Sequence, residues 1–192
     1  MWAIFFRSSG FVEAVALEER KTVTADRYTR VCLPKVITAI ESQREKTGIR
    51  GILLHHDNAS LHTANRTRGV LENSGFKTLL HPPYSPDLAP CHFWLFPRLK
   101  DQLRGGSSTN EELRGALFQA IRDIPKEEWK KCFDNWFTRM KKVLIVRESI
   151  LKIFNGQFYY YYLTCRSMSK LFQCPSYKHI ERYIYSLKNY VF

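Results

Sequence analysis

The spacing of apolar residues divides the first 150 residues into short regular elements. Two runs rich in aromatic and β-branched residues, Trp2 to Phe6 and Phe11 to Leu17, flank a polar Arg-Ser-Ser-Gly turn and predict a β-hairpin. The apolar segment GILLH, Gly51 to His55, is typical of a buried central strand. Phe76 to Leu80 is a further strand candidate. These runs predict four strands.

Helical spacing accounts for most of the remaining positions. A helix is predicted from Thr24 to about Lys46, and Pro34 either kinks it or begins it anew. A second helix is predicted over Leu61 to Asn73, ended by Gly75. Further helices are predicted over about Pro90 to Arg104, from the capping box of Thr109 and Glu112 onward, and after Pro125 along the stripe Trp129, Cys132, Phe133, Trp136, Phe137 and Met140. The order of elements predicts an α/β fold.

The composition favours a polyanionic partner. Lys and Arg number 30 against 18 Asp and Glu, for a net charge of +12 and a pI near 9.6, so nucleic acid is the leading partner and a merely soluble basic surface is the alternative. No apolar run approaches the about 18 residues of a membrane span, and 192 residues suit one domain. The five cysteines are odd in number and scattered, which indicates a reducing compartment and structural thiols.

The last part of the chain differs in composition from the rest. Residues 151–192 hold six basic residues, one acid and eight of the ten tyrosines. They have no clear helical or strand period. We therefore divide the chain into a domain over residues 1–142 and an aromatic, basic tail over residues 143–192, for which unselected sequence is the favoured interpretation and stacking on single-stranded nucleic acid the alternative.

Two residues are candidates for chemistry. Asp57 directly follows the buried GILLH strand, where α/β folds place ligands, although Asp57 or Asn58 as a helix N-cap is the alternative. His92 opens a helix after the proline-rich segment PPYSPDLAP, and a packed core histidine is its alternative. Two-metal phosphoryl transfer needs hard oxygen ligands from separate elements. A strand end and a helix start can meet in that way.

Two segments resemble the best-known motifs of mariner-type DNA transposases. HHDNASLHTA, residues 55–64, and HPPYSPDLAPCHFWLF, residues 81–96, are similar to the family forms HDNARPHTA and HPPYSPDLAPSDYHLF. Thirty-four residues separate the second and third catalytic aspartates of the family, and thirty-four lie between Asp57 and His92. The resemblance extends from about Trp2 to Met140. It implies a ribonuclease H-like fold, descent from an enzyme of DNA cleavage and strand transfer, Mg²⁺ as cofactor and Asp57 as a metal ligand.

The sequence departs from the family pattern in ways that bear on catalysis. His92 stands where the family has its third aspartate. The family's first catalytic aspartate lies on a central first strand that we expect to be missing here, since Trp2 to Phe6 matches the second strand. We also expect the family's DNA-binding helix-turn-helix region to be missing here. A neutral imidazole prefers zinc to Mg²⁺, so we expect weak or lost metal binding and lost or severely reduced cleavage.

Other interpretations of these residues are less favoured. A zinc site formed by His56, Asp57, His62 and His92 lacks the thiolates that structural zinc sites usually contain. Nucleophilic catalysis by Ser85 or Cys91 lacks a recognisable strand-to-helix elbow.

We expect sequence-neutral contacts with the DNA backbone from basic residues on the helices that flank the site, or else a solvated helix face: Arg66, Arg68, Arg98, Lys100 and Arg104. The resemblance further implies a nuclear location and a possible dimer, with no membrane and no small-molecule substrate. The hypotheses from other classes are a non-catalytic DNA-binding or interaction module and an unstable product without function.

Overall fold

The computed structural model describes residues 2–16, 23–104, 109–153 and 183–190, with only the backbone of residues 110, 146–153 and 183–190. Most of the predicted tail, including Cys165 and Cys174, lies outside these residues. So does Leu17, the predicted end of the second strand.

A mixed sheet of five strands forms the centre of the fold. The hairpin is confirmed: β1, Trp2–Arg7, pairs antiparallel with β2, Gly10–Ala16. The strands β3, Leu53–His56, and β4, Lys77–Leu79, pair in parallel. The fifth strand, β5, is Tyr183–Tyr190. The strand order is β2-β1-β5-β3-β4.

The centre of this sheet differs from the sequence-based expectation. We expected a sheet without its central first strand, but β5 lies between β1 and β3, antiparallel to β1 and parallel to β3. The described sheet therefore has no gap between β1 and β3, because a segment of the predicted tail lies there. Periodicity gave no sign of this strand, because YIYSLKNY has no regular alternation of apolar and polar residues.

Two helices accommodate an internal proline through a π-helical segment. Helix α1 consists of Ala25–Arg27, the π-helical Tyr28–Cys32 and Leu33–Gln43. Helix α4 consists of the π-helical Cys91–Leu95 followed by Phe96–Gln102.

In α1 the prolyl ring would crowd the carbonyl four residues earlier, and proline has no N–H to donate. The wider turn pairs the Leu33 amide with the Tyr28 carbonyl immediately before Pro34. Pro34 therefore lies inside one continuous helix instead of ending it.

The remaining helices follow the predicted signals with two corrections. They are α2, Ser60–Thr63; α3, Asn65–Ser74; α5, Asn110–Arg122; and α6, Lys126–Ile153. The predicted helix over Leu61 to Asn73 is two helices because Ala64 has an extended backbone, with ψ of 140°. Gly75 caps α3 at φ of 83°, and the capping box of Thr109 and Glu112 is confirmed. The boundary that we placed at residue 142 falls inside α6.

Apolar side chains cover both faces of the sheet. On one face Ala3 and Phe5 pack with residues of α1, α2 and α3. On the other face Ile4 and Phe6 pack with α4, α5 and α6. The predicted stripe of α6 is buried there, including Trp129, Cys132, Phe133, Trp136, Phe137 and Met140. In the described part of the chain no helix is long and apolar enough to cross a membrane.

One hydrogen bond ties the long helix α6 to the proline-rich loop. The indole Nε1 of Trp136 donates to the Leu88 carbonyl oxygen over 2.8 Å, and this contact is buried. We expect Trp136→Phe to lower the free energy of unfolding by about 1–3 kcal/mol, because it leaves that carbonyl without its indole donor. Urea denaturation measures the change. Trp129→Phe, which also removes a buried indole but leaves Leu88 its donor, is the matched control, and equal losses in the two variants would contradict the prediction.

Candidate catalytic and metal-binding site

Asp57 lies at the carboxyl end of β3, before the short helix α2. Its Oδ1 accepts a hydrogen bond from the amide of Ala59 over 3.0 Å, which forms a local turn. The N-cap residue of α2 is Ala59 and has no side-chain capping bond, while the Asn58 side chain donates to the His81 carbonyl oxygen over 2.8 Å. The N-cap interpretation of Asp57 and Asn58 is therefore wrong. The Asp57 carboxylate is 30% exposed.

A buried histidine holds the Asp57 carboxylate in place. His62 Nδ1 lies 2.7 Å from Asp57 Oδ1, and the His62 side chain has no exposed area. The His62 ring also packs against Tyr28, with ring centroids 4.8 Å apart, and against His56, at 4.5 Å. The sequence suggests His62 only as a zinc ligand. Its position five residues after Asp57, in the same motif, was the signal for a positioning role.

The electrostatic balance keeps Asp57 charged and His55, His56 and His81 neutral. Burial raises the pKa of the Asp57 carboxyl, but the hydrogen bond and charge of His62, together with the Ala59 amide, bring it below its usual range. Burial lowers the pKa of His56 to about 4. Burial also lowers the pKa values of His55 and His81, and a neighbouring histidine lowers each of these pKa values further.

Asp57 and His92 line the same open cleft. This cleft has a volume of about 510 Å³, and its wall also includes His81, Tyr84 and Thr63. His92 is exposed in the π-helical start of α4, and burial lowers the pKa of its ring although the charge of Asp57 raises it. The expected meeting of a strand end and a helix start therefore exists in the structure.

Contacts from α6 fix the proline-rich loop that precedes His92. Besides the bond from Trp136, the Arg139 guanidinium donates to the Asp87 carbonyl oxygen over 3.1 Å and lies 4.2 Å from the centre of the Phe93 ring. Tyr84, at the rim of the cleft, is 99% exposed and has φ of 52°, a left-handed backbone that side chains rarely adopt. Sequence analysis did not single out Tyr84.

Comparison with known proteins gives two relatives. The histone-lysine N-methyltransferase SETMAR of Homo sapiens is 27% identical over 146 residues, which cover 70% of this chain and 21% of SETMAR. The Mariner Mos1 transposase of Drosophila mauritiana is 30% identical over 139 residues, which cover 71% of this chain and 36% of the transposase. The chain thus spans well under two thirds of either relative. No protein-family model matches it.

The solved structures agree with these relatives. The crystal structure of the catalytic domain of Mos1 mariner transposase matches with a TM-score of 0.63 and 28% identity, over 67% of this chain and 64% of that one. This chain is a homologue of the mariner transposase catalytic domain. The resemblance and the ribonuclease H-like fold expected from it are thereby confirmed. Other matching Mos1 structures, with TM-scores of 0.62, 0.64 and 0.62, contain a left transposon end, Mn and Mg respectively.

Among the described residues, few side chains could bind a divalent ion such as the Mn or Mg that solved Mos1 structures contain. Within residues 2–16, 23–104 and 109–145, no three His, Cys, Asp or Glu side chains are arranged to hold a metal ion, and this includes the zinc set of His56, Asp57, His62 and His92. His62 Nδ1 is occupied by Asp57, and His56 Nδ1 lies 3.1 Å from the Asp57 carbonyl oxygen. One carboxylate and one neutral imidazole do not fit a two-metal centre.

The surroundings of Ser85 and Cys91, the two residues considered as nucleophiles, indicate structural roles. The Ser85 hydroxyl donates to the Pro83 carbonyl oxygen over 3.0 Å. Cys91 is buried, and burial raises the pKa of its thiol well above the usual range, so the thiolate is scarce at neutral pH.

Four of the five basic residues predicted to contact DNA lie on α3 or α4, and Arg104 lies just after α4. Three of the five pair with acids: Arg66 with Asp26 at 2.9 Å, Arg98 with Glu128 at 3.6 Å and Arg104 with Asp101 at 3.1 Å. Arg68 is exposed and lines a cavity of about 140 Å³ beside His56 and His62, and Lys100 is exposed on α4. Exposed ion pairs are worth at most about 1 kcal/mol, so a phosphate can replace the acid.

We expect His62→Phe to raise the pKa of the Asp57 carboxyl. Phenylalanine keeps a ring against Tyr28 but removes the hydrogen bond and the charge that favour the carboxylate. A pH titration of the Asp57 carboxyl carbon by NMR measures the shift. Thr63→Val, on the same short helix, is the control because Thr63 does not bond to Asp57. An unchanged Asp57 pKa in His62→Phe would contradict the role assigned to His62.

Proposed function

We propose that this chain is a mariner transposase-derived DNA-binding protein whose cleavage and strand-transfer activity is lost or severely reduced. Asp57 is the surviving metal ligand, and His92 replaces a second ligand. A divalent ion, Mg²⁺ by descent, binds weakly or not at all. The proposal includes a nuclear location and a possible dimer, as in the family.

The observation that carries the loss of cleavage is the single carboxylate in the cleft. Two metal ions, a scissile phosphate and an attacking hydroxyl require several negative ligands to balance and bridge the metals. Among the described residues, the wall of the cleft that Asp57 and His92 share contains one carboxylate. The residues of β5, the strand beside β3, include no Asp or Glu.

Binding to DNA is supported by descent, charge and the shape of the cleft. A solved Mos1 structure contains a left transposon end, and this chain carries a net charge of +12. The Tyr84 ring, exposed at the rim of the cleft, is available to stack on a base, and Arg68 and Lys100 lie on exposed helix surfaces. The proposed backbone contacts come from the five basic residues predicted from sequence: Arg66, Arg68, Arg98, Lys100 and Arg104.

A change at one residue tests the metal site. We expect His92→Asp to bind Mn²⁺ more tightly than the natural chain, because it adds a second carboxylate to the cleft beside Asp57. Isothermal titration with Mn²⁺ measures the affinity. His92→Asn is the matched control, since it has the shape of aspartate without its charge. Equal Mn²⁺ affinity in all three proteins would show that position 92 does not contribute to a metal site.

Nicking of supercoiled plasmid in Mg²⁺ or Mn²⁺ tests the proposed loss of catalysis. We expect no cleavage by the natural chain, because one carboxylate cannot hold two metal ions. Asp57→Ala is the control for contaminating nucleases, which would cut with both proteins. Metal-dependent cutting by the natural chain that disappears in Asp57→Ala would overturn the proposal.

A salt titration tests the proposed DNA contacts. We expect the double change Arg68→Ala and Lys100→Ala to weaken binding to duplex DNA and to reduce the slope of log affinity against log salt by up to about 2, since each phosphate contact contributes about 0.9. Fluorescence anisotropy measures both quantities. Lys35→Ala, which removes one exposed charge from α1, should leave the slope unchanged. The assignment fails if the double change and this control have the same slope.

A further inference from the structure

We propose that residues 183–190 act as a donated strand: β1 and β3 form an acceptor for one extended segment, and β5 occupies it from the far end of the chain. The proposal concerns the assembly of the sheet and does not depend on DNA binding.

The pairing pattern shows how β5 joins the two sides. Along β1 its partners run from Ile184 opposite Arg7 to Tyr190 opposite Trp2, with a register shift between Trp2 and Ile4. Along β3 they run from Tyr183 opposite Leu53 to Ser186 opposite His56. Tyr183 to Ser186 are therefore paired with β3 while Ile184 to Ser186 are also paired with β1. No other described strand pairs with both β1 and β3.

The sheet depends on this strand for its continuity. Without β5 the described strands would form a hairpin, β1 with β2, and a separate two-stranded parallel pair, β3 with β4. The inner-edge backbone groups of β1 and β3 would then lose their hydrogen bonds to β5, and each group left unpaired where water cannot reach it costs about 1–3 kcal/mol.

The described packing around the acceptor comes from helices on both faces of the sheet. Ala3 and Leu54 lie in an apolar cluster with residues of α1 to α3, and Ile4 and Phe6 lie in a cluster with residues of α4 to α6. Helices therefore flank β1 and β3 on both sides. Such an arrangement defines a slot between β1 and β3. A segment that fills this slot must run in the right direction and pair in the right register.

The segment in this slot also determines which residues lie beside Asp57 in the register of the sheet. Ser186 lies opposite His56, so Leu187 is the next register position beside Asp57. Neither residue has a carboxyl group. The strand that completes the sheet therefore supplies no acid at the edge where Asp57 lies.

Hydrogen exchange on the full chain tests the proposal. We expect the amides of residues 183–190 to be protected together with those of β1 and β3 in the natural chain. We expect Ser186→Pro to remove protection from all three segments, because proline has no N–H and is excluded from central strands. Ser186→Val, a good strand former at the same position, should keep it.

A synthetic peptide of residues 183–190 separates a lost strand from a general failure to fold. Added in excess to the Ser186→Pro chain, it should restore protection of residues 2–7 and 53–56, and the same peptide with proline at position 186 should not. Two results would overturn the proposal: unprotected amides at 183–190 in the natural chain while β1 and β3 stay protected, or full protection of β1 and β3 in Ser186→Pro. Failure of the peptide to restore protection would overturn the idea of a slot open to a separate strand.

Discussion

The backbone hydrogen bonds that β5 makes to β1 and to β3 are the constraint on which the rest of the structure depends. These strands belong to different halves of the sheet, and each must satisfy its inner edge through β5. Asp57 follows β3 and the helices α2 and α3 follow Asp57, so the position of the candidate site is set by how β3 is held. Packing of the helices on both faces supplies the apolar contacts, while β5 connects the two halves of the sheet.

The site joins a firmly held carboxylate to a histidine. His62 fixes the Asp57 carboxylate, and the bonds of Trp136 and Arg139 to the proline-rich loop hold the segment that leads to His92 in the same cleft. Residue 92 is where the sequence departs from the family motif. These bonds belong to the packing of the fold, so they position residue 92 without using its side chain.

The predictions from sequence succeeded where local chemistry determines structure. The hairpin, the Gly75 cap, the capping box at Thr109 and the buried stripe of α6 all follow from short-range rules, and they are confirmed. Asp57 and His92, which the sequence places after a strand and at the start of a helix, line one cleft. Long-range facts were beyond these rules: nothing in YIYSLKNY indicates that its partners are residues 2–7 and 53–56. The π-helical turns before Pro34 and Pro97 were also missed, since proline signals a break and not the wider turn that avoids one.

The place of β5 in the chain has a consequence for biosynthesis. Domains generally fold in the order in which the ribosome releases them, with N-terminal elements first. Here the hairpin, the β3–β4 pair and all the described helices are complete before residue 183 is added. The central strand is thus the last described element to be made, and the sheet can close only after residues 183–190 have left the ribosome. Until then the nascent chain carries two open strand edges, and the sheet closes when one segment inserts between them.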